Sequence, residues 1–381
     1  MHLLFLLPAL LLVLMFAPYL KGGDDISVWF FNRQLWFGAA VSYIALMLFA
    51  CGVSAALFAI DSLFGVDVDG DVFADIWAFA AFVLGPVYAL SWVPKHFEFT
   101  DDDCVDPPGL KFIANWISVP MVFVYLSILY AYFGKMIIDQ IVPNGILAYL
   151  ISGFVGAGVV TYLVSWPLRS VGSAQLRLFH KIFFPALIIP VGFHFFAIWE
   201  RVGAYGVTEQ RYFILLSAVW FSIIALGNTF SKMPIKAIPA TLAILLIFAS
   251  FGPWGAVSVS GISQYSRLEA LLVKHDLLKD GKVQKASVEI PFEDRVSMSS
   301  IVDYLCDTQR HEMVYQIFER PEEEYRRNRC SAYNLVKEQL GFDYTYRSYN
   351  NRDDNISIWG GYSRAGVLDI RHYDYYINGG G

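Results

Sequence analysis

The chain has 381 residues, of which 56% are hydrophobic, 17% aromatic and only 16% charged, with a mean hydropathy of +0.48. Soluble globular domains carry about 25% charged residues, so this balance excludes an ordinary water-soluble globule. The net charge of −6 comes without a basic block, which excludes nucleic acid as a partner.

A hydrocarbon core of about 30 Å takes about 20 helical residues to cross. Eight mostly apolar stretches meet that length, near 2–20, 35–60, 73–93, 112–134, 145–166, 182–199, 212–230 and 238–258. None has Lys, Arg, Asp or Glu at its middle, where one such residue would cost at least about 2.5 kcal/mol on insertion. The first begins without Lys or Arg and lacks a small-x-small cleavage site near Tyr19, so it reads as a retained helix rather than a signal peptide. The second exceeds a bilayer's need and is expected to tilt or protrude. Pro86 and Pro120 fall inside the third and fourth stretches and should kink them unless neighbouring groups compensate. Asp67-Val68-Asp69-Gly70-Asp71 reads as a solvated turn, since it does not follow the calcium-loop order, and Asp101-Asp102-Asp103 with Asp106 reads as a solvated loop. In the fifth stretch Ser152, Gly153, Gly156 and Ala157 are spaced for close helix packing. His194, within the sixth, reads as a neutral packed side chain; a proton-linked role is the alternative.

The remaining 123 residues, 259–381, hold 35 of the 62 Lys, Arg, Asp and Glu side chains. The predicted fold class is therefore an all-α polytopic membrane bundle of about eight transmembrane helices, residues 1–258, followed by a small α+β extramembrane domain, residues 259–381. In that domain Ser299–Asp307 and Ser331–Leu340 read as helices, the second closed by Gly341. Ile356–Trp359 and Val367–Tyr376 alternate as strands do, and Glu319–Arg329 reads as a solvated charged face.

One set of loops carries Lys21, Arg33, Lys95, Lys111, Arg169, Arg177, Lys181, Lys232 and Lys236; the opposite set carries Lys135, Arg201 and Arg211. The excess of nine over three places the first set in the cytoplasm and the C-terminal domain outside. An oxidising compartment would permit Cys306 and Cys330 to pair; two unpaired small residues in a partly buried domain is the alternative.

Two polar segments stand out. Between the sixth and seventh stretches, Glu200, Arg201, Gly203, Tyr205, Gly206, Thr208, Glu209 and Arg211 form an interfacial helical hairpin. Its glycines permit the reversal, and Thr208 occupies an N-cap position ahead of Glu209. After the eighth stretch, Gly252-Pro253 should break the helix, Trp254 suits the membrane interface, and Ser258, Ser260 and Gln264 form a polar exit. In the eight-helix topology both segments face the same side. The candidate interfacial site is therefore Glu200, Arg201, Tyr205, Thr208, Glu209, Arg211, Trp254, Ser258, Ser260 and Gln264, with Arg201 or Arg211 expected to meet Glu200 or Glu209.

The combination of Glu200-Arg201-x-x-Ala204-Tyr205-Gly206-x-Thr208-Glu209-x-Arg211 with Ser250-Phe251-Gly252-Pro253-Trp254 and Ser258-Val259-Ser260 resembles a bacterial membrane family, domain of unknown function 4153. Asn32-Arg33-Gln34-Leu35-Trp36, Leu129-Tyr130-Ala131-Tyr132 and Arg267-Leu268 resemble it too. The resemblance covers about residues 28 to 275. It implies a multi-pass bacterial protein and brings no activity.

Walker, GxSxG, HExxH and paired Cys/His metal patterns are missing from the sequence. The expectation is a non-enzymatic envelope protein of the bacterial inner membrane, without cofactor or metal, that interacts with membrane lipids or another envelope protein. A polytopic transporter of a small solute or lipid is the alternative.

Overall fold

The computed structural model describes residues 2–65, 68–99, 108–139, 146–170, 172–279, 281–307, 311–318 and 330–346. It divides into two compact units, 1–267 and 268–381. Six helices are long and apolar enough to cross a membrane: Asp25–Phe64, Gly70–Ser91, Gly109–Asp139, Leu147–Val164, Ala174–Tyr205 and Glu209–Ser231. The first and eighth predicted stretches form shorter apolar helices, α1 (His2–Phe16) and α10 (Ala237–Ser250), which pack together. Large apolar side chains such as Phe82 (82% exposed) and Leu63 (78%) stand on the outside of the first unit. In water such a surface would aggregate; in a bilayer it is the solvent-facing side.

Helix α2 (Asp25–Phe64) starts ten residues before the apolar run expected at 35. Its first two turns contribute Val28, Trp29, Phe30 and Phe31 to a buried cluster with Tyr19, Trp166 and Ile235. Arg33, predicted in a loop, therefore lies inside a helix, its guanidinium 4.6 Å from the Phe30 ring centre. Asn32 donates to the Met15 carbonyl (2.9 Å), tying α2 to the end of α1.

Prolines are handled in two ways. Pro86 follows a five-residue π turn, Ala80–Leu84, between α3 (Gly70–Phe79) and α4 (Gly85–Ser91). Pro120 follows another, Ala114–Ser118, between α5 (Pro108–Ile113) and α6 (Val119–Asp139). The wider turn accommodates a ring that would clash in a regular helix. Helix α8 (Ala174–Tyr205) contains Pro185 and Pro190 without interruption. Pro190 has no N–H for the Ala186 carbonyl, and the Tyr130 hydroxyl of α6 donates to that oxygen instead (2.9 Å), the substitution that apolar surroundings demand.

Helices α6, α7 (Ile146–Val164), α8 and α9 (Glu209–Leu226) enclose the main core, which includes Phe179, Phe183, Leu187 and Ile224. The close approach of α7 to α8 occurs at Gly158, where a Cβ would strike the Phe183 ring. The predicted small residues do not serve it. Gly153 and Gly156 have nothing within 4 Å of a Cβ position.

One end of this unit gathers the basic loops. Tyr19 Oη lies 2.9 Å from both the Ser27 and Phe97 carbonyl oxygens. Asp25 accepts from the Ile235 amide (3.2 Å), and Lys236 donates to the Tyr19 carbonyl (3.0 Å). Trp29 Nε1 donates to Leu163 O (2.8 Å), and Ser173 to Asn115 (2.5 Å).

The second unit is chiefly helical where described. Helix α12 (Phe292–Asp307) packs Met298, Ile301, Val302 and Leu305 with Ala332 and Leu335 of α14 (Ala332–Leu335); α13 (His311–Phe318) lies between them in sequence. Gly341 (φ +79°) closes the π turn Val336–Leu340, in the capping position expected. The described strands are one short hairpin, Leu278–Lys279 with Lys282–Val283. The two predicted strands, the Glu319–Arg329 run and the Asp101–Asp106 cluster lie outside the described residues. Asp294 sits between Lys274 (2.7 Å) and His275 (2.8 Å). The Lys274 hydrogen bond holds its pKa below the ordinary carboxylate value, opposed by burial. Cys306 is bonded to Cys330, with their Cα atoms 5.3 Å apart.

Candidate functional site

At the other end of the first unit, α8 runs directly into a reversal before α9. Gly203 lies within the last turns of α8, so it takes no part in the turn itself. Gly206 makes the turn alone, with φ +68° and ψ −178°, a conformation open essentially to glycine only. Its own amide donates to Val202 O (2.9 Å), ending α8. Thr208 occupies the N-cap of α9 with extended backbone, but its hydroxyl makes no capping bond. Glu209 lies in the first turn, where the helix dipole favours a carboxylate.

The exit segment is a helix, not a linker. After Ser250 the chain turns at Phe251–Gly255, with Gly252 at φ +79°, and α11 (Ala256–Lys274) begins. The predicted domain boundary at 258/259 falls in the first turn of α11. Ser258 donates to the Gly252 carbonyl (3.1 Å) and braces this turn. Ser260 is buried and donates back to the Ala256 carbonyl.

Four contacts hold the two segments together. Gln264 Nε2, buried, donates to the carbonyls of Tyr205 (3.1 Å) and Val207 (3.0 Å). Ser263 Oγ accepts from the Val207 amide (2.9 Å). Tyr212 Oη donates to the Trp254 carbonyl (2.8 Å). A Cβ on Gly206 would come within 2.9 Å of Gln264 Nε2 and 3.1 Å of Ser263 Oγ. The glycine and the polar face of α11 are thus complementary shapes. Every backbone group of the reversal that this face reaches is one left unpaired by the break between α8 and α9.

Arg211 Nη1 donates to the Tyr205 (3.0 Å) and Gly206 (2.9 Å) carbonyls. Its guanidinium lies 5.4 Å from the Tyr205 ring centre, and that of Arg267 lies 5.8 Å from the same ring. Burial lowers the pKa of Arg267, against the effect of the Tyr205 hydroxyl. Glu200 is exposed on the last turns of α8. Trp254 is exposed too; its ring leans over Gly252, 6.2 Å from that of Phe248, and its carbonyl reaches the hairpin.

The structure therefore unites Tyr205, Arg211 and Gln264 directly, and Trp254 through Tyr212. Ser258 and Ser260 stabilise their own turn and helix. Ser263 and Arg267 belong to the constellation and were not singled out as site residues. Their signal was spacing: Ser260, Ser263, Gln264 and Arg267 recur at three- and four-residue intervals, which is one face of a helix.

His194 lies apart, fully buried in α8. Its Nε2 is 3.1 Å from Ile214 O and 3.2 Å from Ser217 Oγ. Ser217 itself donates to Ile214 O (2.7 Å), so the carbonyl requires the proton on Nε2. This is the packed arrangement expected of it.

A sequence model described as domain of unknown function 4153 matches residues 2–280, wider than the 28–275 inferred from motifs. An uncharacterised protein of Pasteurella multocida (strain Pm70) is 24% identical over 196 residues, 51% of this chain and 33% of the relative. The chain thus spans about a third of the length of the curated relative it matches. No solved structure matches. The chain belongs to the domain of unknown function 4153 family.

Proposed function

We propose that this is a non-enzymatic protein of the bacterial inner membrane whose hairpin end is an interaction surface for lipid or another envelope protein. The observation that carries the reading is the clamp between Gly206 and the Ser263–Gln264 face of α11. Two chain segments separated by about fifty residues combine to hold one polar, arginine-bearing surface at the end of an apolar bundle.

The same reading takes α1 and α10 as crossing helices, giving eight. Phe5 of α1 packs on Phe213 near the hairpin (4.4 Å), while Tyr19, just after α1, meets Lys236, just before α10, at the opposite end. Trp254, four residues after α10, is back beside Tyr212. With nine Lys and Arg against three, the hairpin end faces outward. The Cys306–Cys330 bond supports an oxidising compartment for the second unit.

Two experiments test this. With single cysteines at Ser266 and Ser173, both exposed, in a background without other reactive thiols, a membrane-impermeant reagent on spheroplasts should label 266 and spare 173. The reverse pattern overturns the orientation. With a photoreactive residue at exposed Tyr205, irradiation of native membranes should give discrete adducts that are absent from the same probe at Phe82, on the bilayer face. Indistinguishable profiles from the two positions overturn the interaction surface.

A further inference from the structure

Beside the hairpin the first unit carries an open groove of about 430 Å³ between α6 and α7. That volume lies within the range of about 300–1,000 Å³ usual for small-molecule sites. Ile117, Met121, Tyr125, Tyr149, Gly153 and Ala157 line it, and its walls are chiefly apolar. The small-residue stripe of α7 explains its depth, since no side chain occupies the space above Gly153. From Tyr149 to Thr161, at its far end, the helix rises about 18 Å. That is slightly more than half of a hydrocarbon core of about 30 Å, the reach of an acyl chain in one leaflet.

Tyr149 belongs to the groove, and because Gly158 of α7 meets Phe183 of α8, Tyr149, nine residues before Gly158 on the returning helix, lies towards the hairpin end. The Tyr149 end of the slot thus points towards the turn where Arg211 and Arg267 lie 5.4 and 5.8 Å from the Tyr205 ring centre, with Arg201 one turn before Tyr205 on α8. Arg201 and Arg267 are half-buried, and like charges gathered at low dielectric favour an anion between them. The hairpin and Arg267 together bear three guanidiniums against the two carboxylates of Glu200 and Glu209, a net positive end above an apolar slot.

We propose that this is a binding site for an anionic phospholipid. Its phosphate meets Arg201, Arg211 and Arg267, and one of its acyl chains lies in the α6–α7 groove. The proposal rests on the hairpin end being an interaction surface, and it names the ligand.

The test uses the full chain, purified in a neutral detergent and delipidated, with dioleoyl phosphatidylglycerol as probe. Phosphatidylglycerol should bind about tenfold or more tightly over phosphatidylcholine of the same chains, as an interaction with charged hydrogen bonds implies. Arg201→Gln and Arg267→Gln should each remove most of that preference, and Arg201→Lys should restore part of it. Gly153→Leu, which fills the groove, should weaken both lipids while leaving the headgroup preference. Fold retention is checked by thermal unfolding without lipid. Equal binding of the two lipids overturns the proposal, as does a preference that survives both arginine substitutions. Protection by inorganic phosphate equal to that by phosphatidylglycerol overturns it in favour of a free-anion site. A change in oligomeric state on filling the groove, with lipid binding intact, overturns it in favour of a docking helix. If discrete photo-adducts at Tyr205 persist while the lipid preference is absent, the ligand is wrong and the interaction surface stands.

Discussion

Gly206→Ala will destabilise the first unit by several kcal/mol and open the contact between the hairpin and α11. The backbone at φ +68°, ψ −178° costs an L-residue about 1–3 kcal/mol. The added methyl must also displace Gln264 Nε2 and Ser263 Oγ, which stand 2.9 and 3.1 Å from its position. Moving Gln264 releases the Tyr205 and Val207 carbonyls, and each buried polar group left unpaired adds about 1–3 kcal/mol. Gly203→Ala is the control. Three residues away, in the regular part of α8, it meets nothing within 4 Å and should be neutral or stabilising by up to about 1 kcal/mol. Denaturation in detergent of the two variants beside the parent measures the difference. A cysteine pair at Tyr205 and Ser263 should cross-link in the Gly203→Ala background and lose efficiency in the Gly206→Ala one. Equal stability of the two variants would show that the reversal tolerates an L-residue and that the clamp is incidental.

That contrast also shows what the sequence could and could not yield. The break at Gly252-Pro253, the Thr208 N-cap position and the glycine-driven reversal are local, and each was legible from residue type alone. So was the meeting of the two polar segments, because helix parity and loop charge put them on one side. The partner of each group was not legible. Charge alone names only carboxylate partners, and Arg211 also satisfies carbonyls freed by the Gly206 turn, a need visible only once the helix ends are known. Reading Ser258–Gln264 as an exit rather than the start of a nineteen-residue helix hid the common face of Ser263, Gln264 and Arg267. The Ser152–Ala157 stripe failed for a related reason. Small residues permit close approach without choosing a neighbour, and here Gly158 meets Phe183 while Gly153 faces the groove. The early start of α2 was hidden because Asp25–Gln34 is polar enough to resemble a loop, yet its aromatic residues pack against Tyr19 and Trp166.

Removing the Cys306–Cys330 bridge will lower the stability of the second unit by about 3–4 kcal/mol, the chain-entropy value for a loop of this size. The bond spans 24 residues and fastens the end of α12 to the residue before Ser331, the N-cap of α14. The described core beside it includes Met298, Ile301, Val302, Leu305, Val314, Ile317, Ala332, Leu335 and Leu340. In Cys306→Ala/Cys330→Ala full-length protein, proteolysis of the second unit in urea should begin at lower concentration than in the parent, while helical circular dichroism from the first unit holds. A reductant should reproduce the effect in the parent and leave the variant unchanged. Coincident urea profiles for parent and variant would mean that the bridge constrains nothing. The same thiols report the compartment. Alkylation of native membranes before and after reduction should show two additional reactive cysteines only after reduction, since disulfides persist where the surroundings are oxidising. Both thiols reacting at once, without reductant, would remove the bridge and with it one of the two supports for an extracytoplasmic second unit, leaving orientation to the loop charges alone.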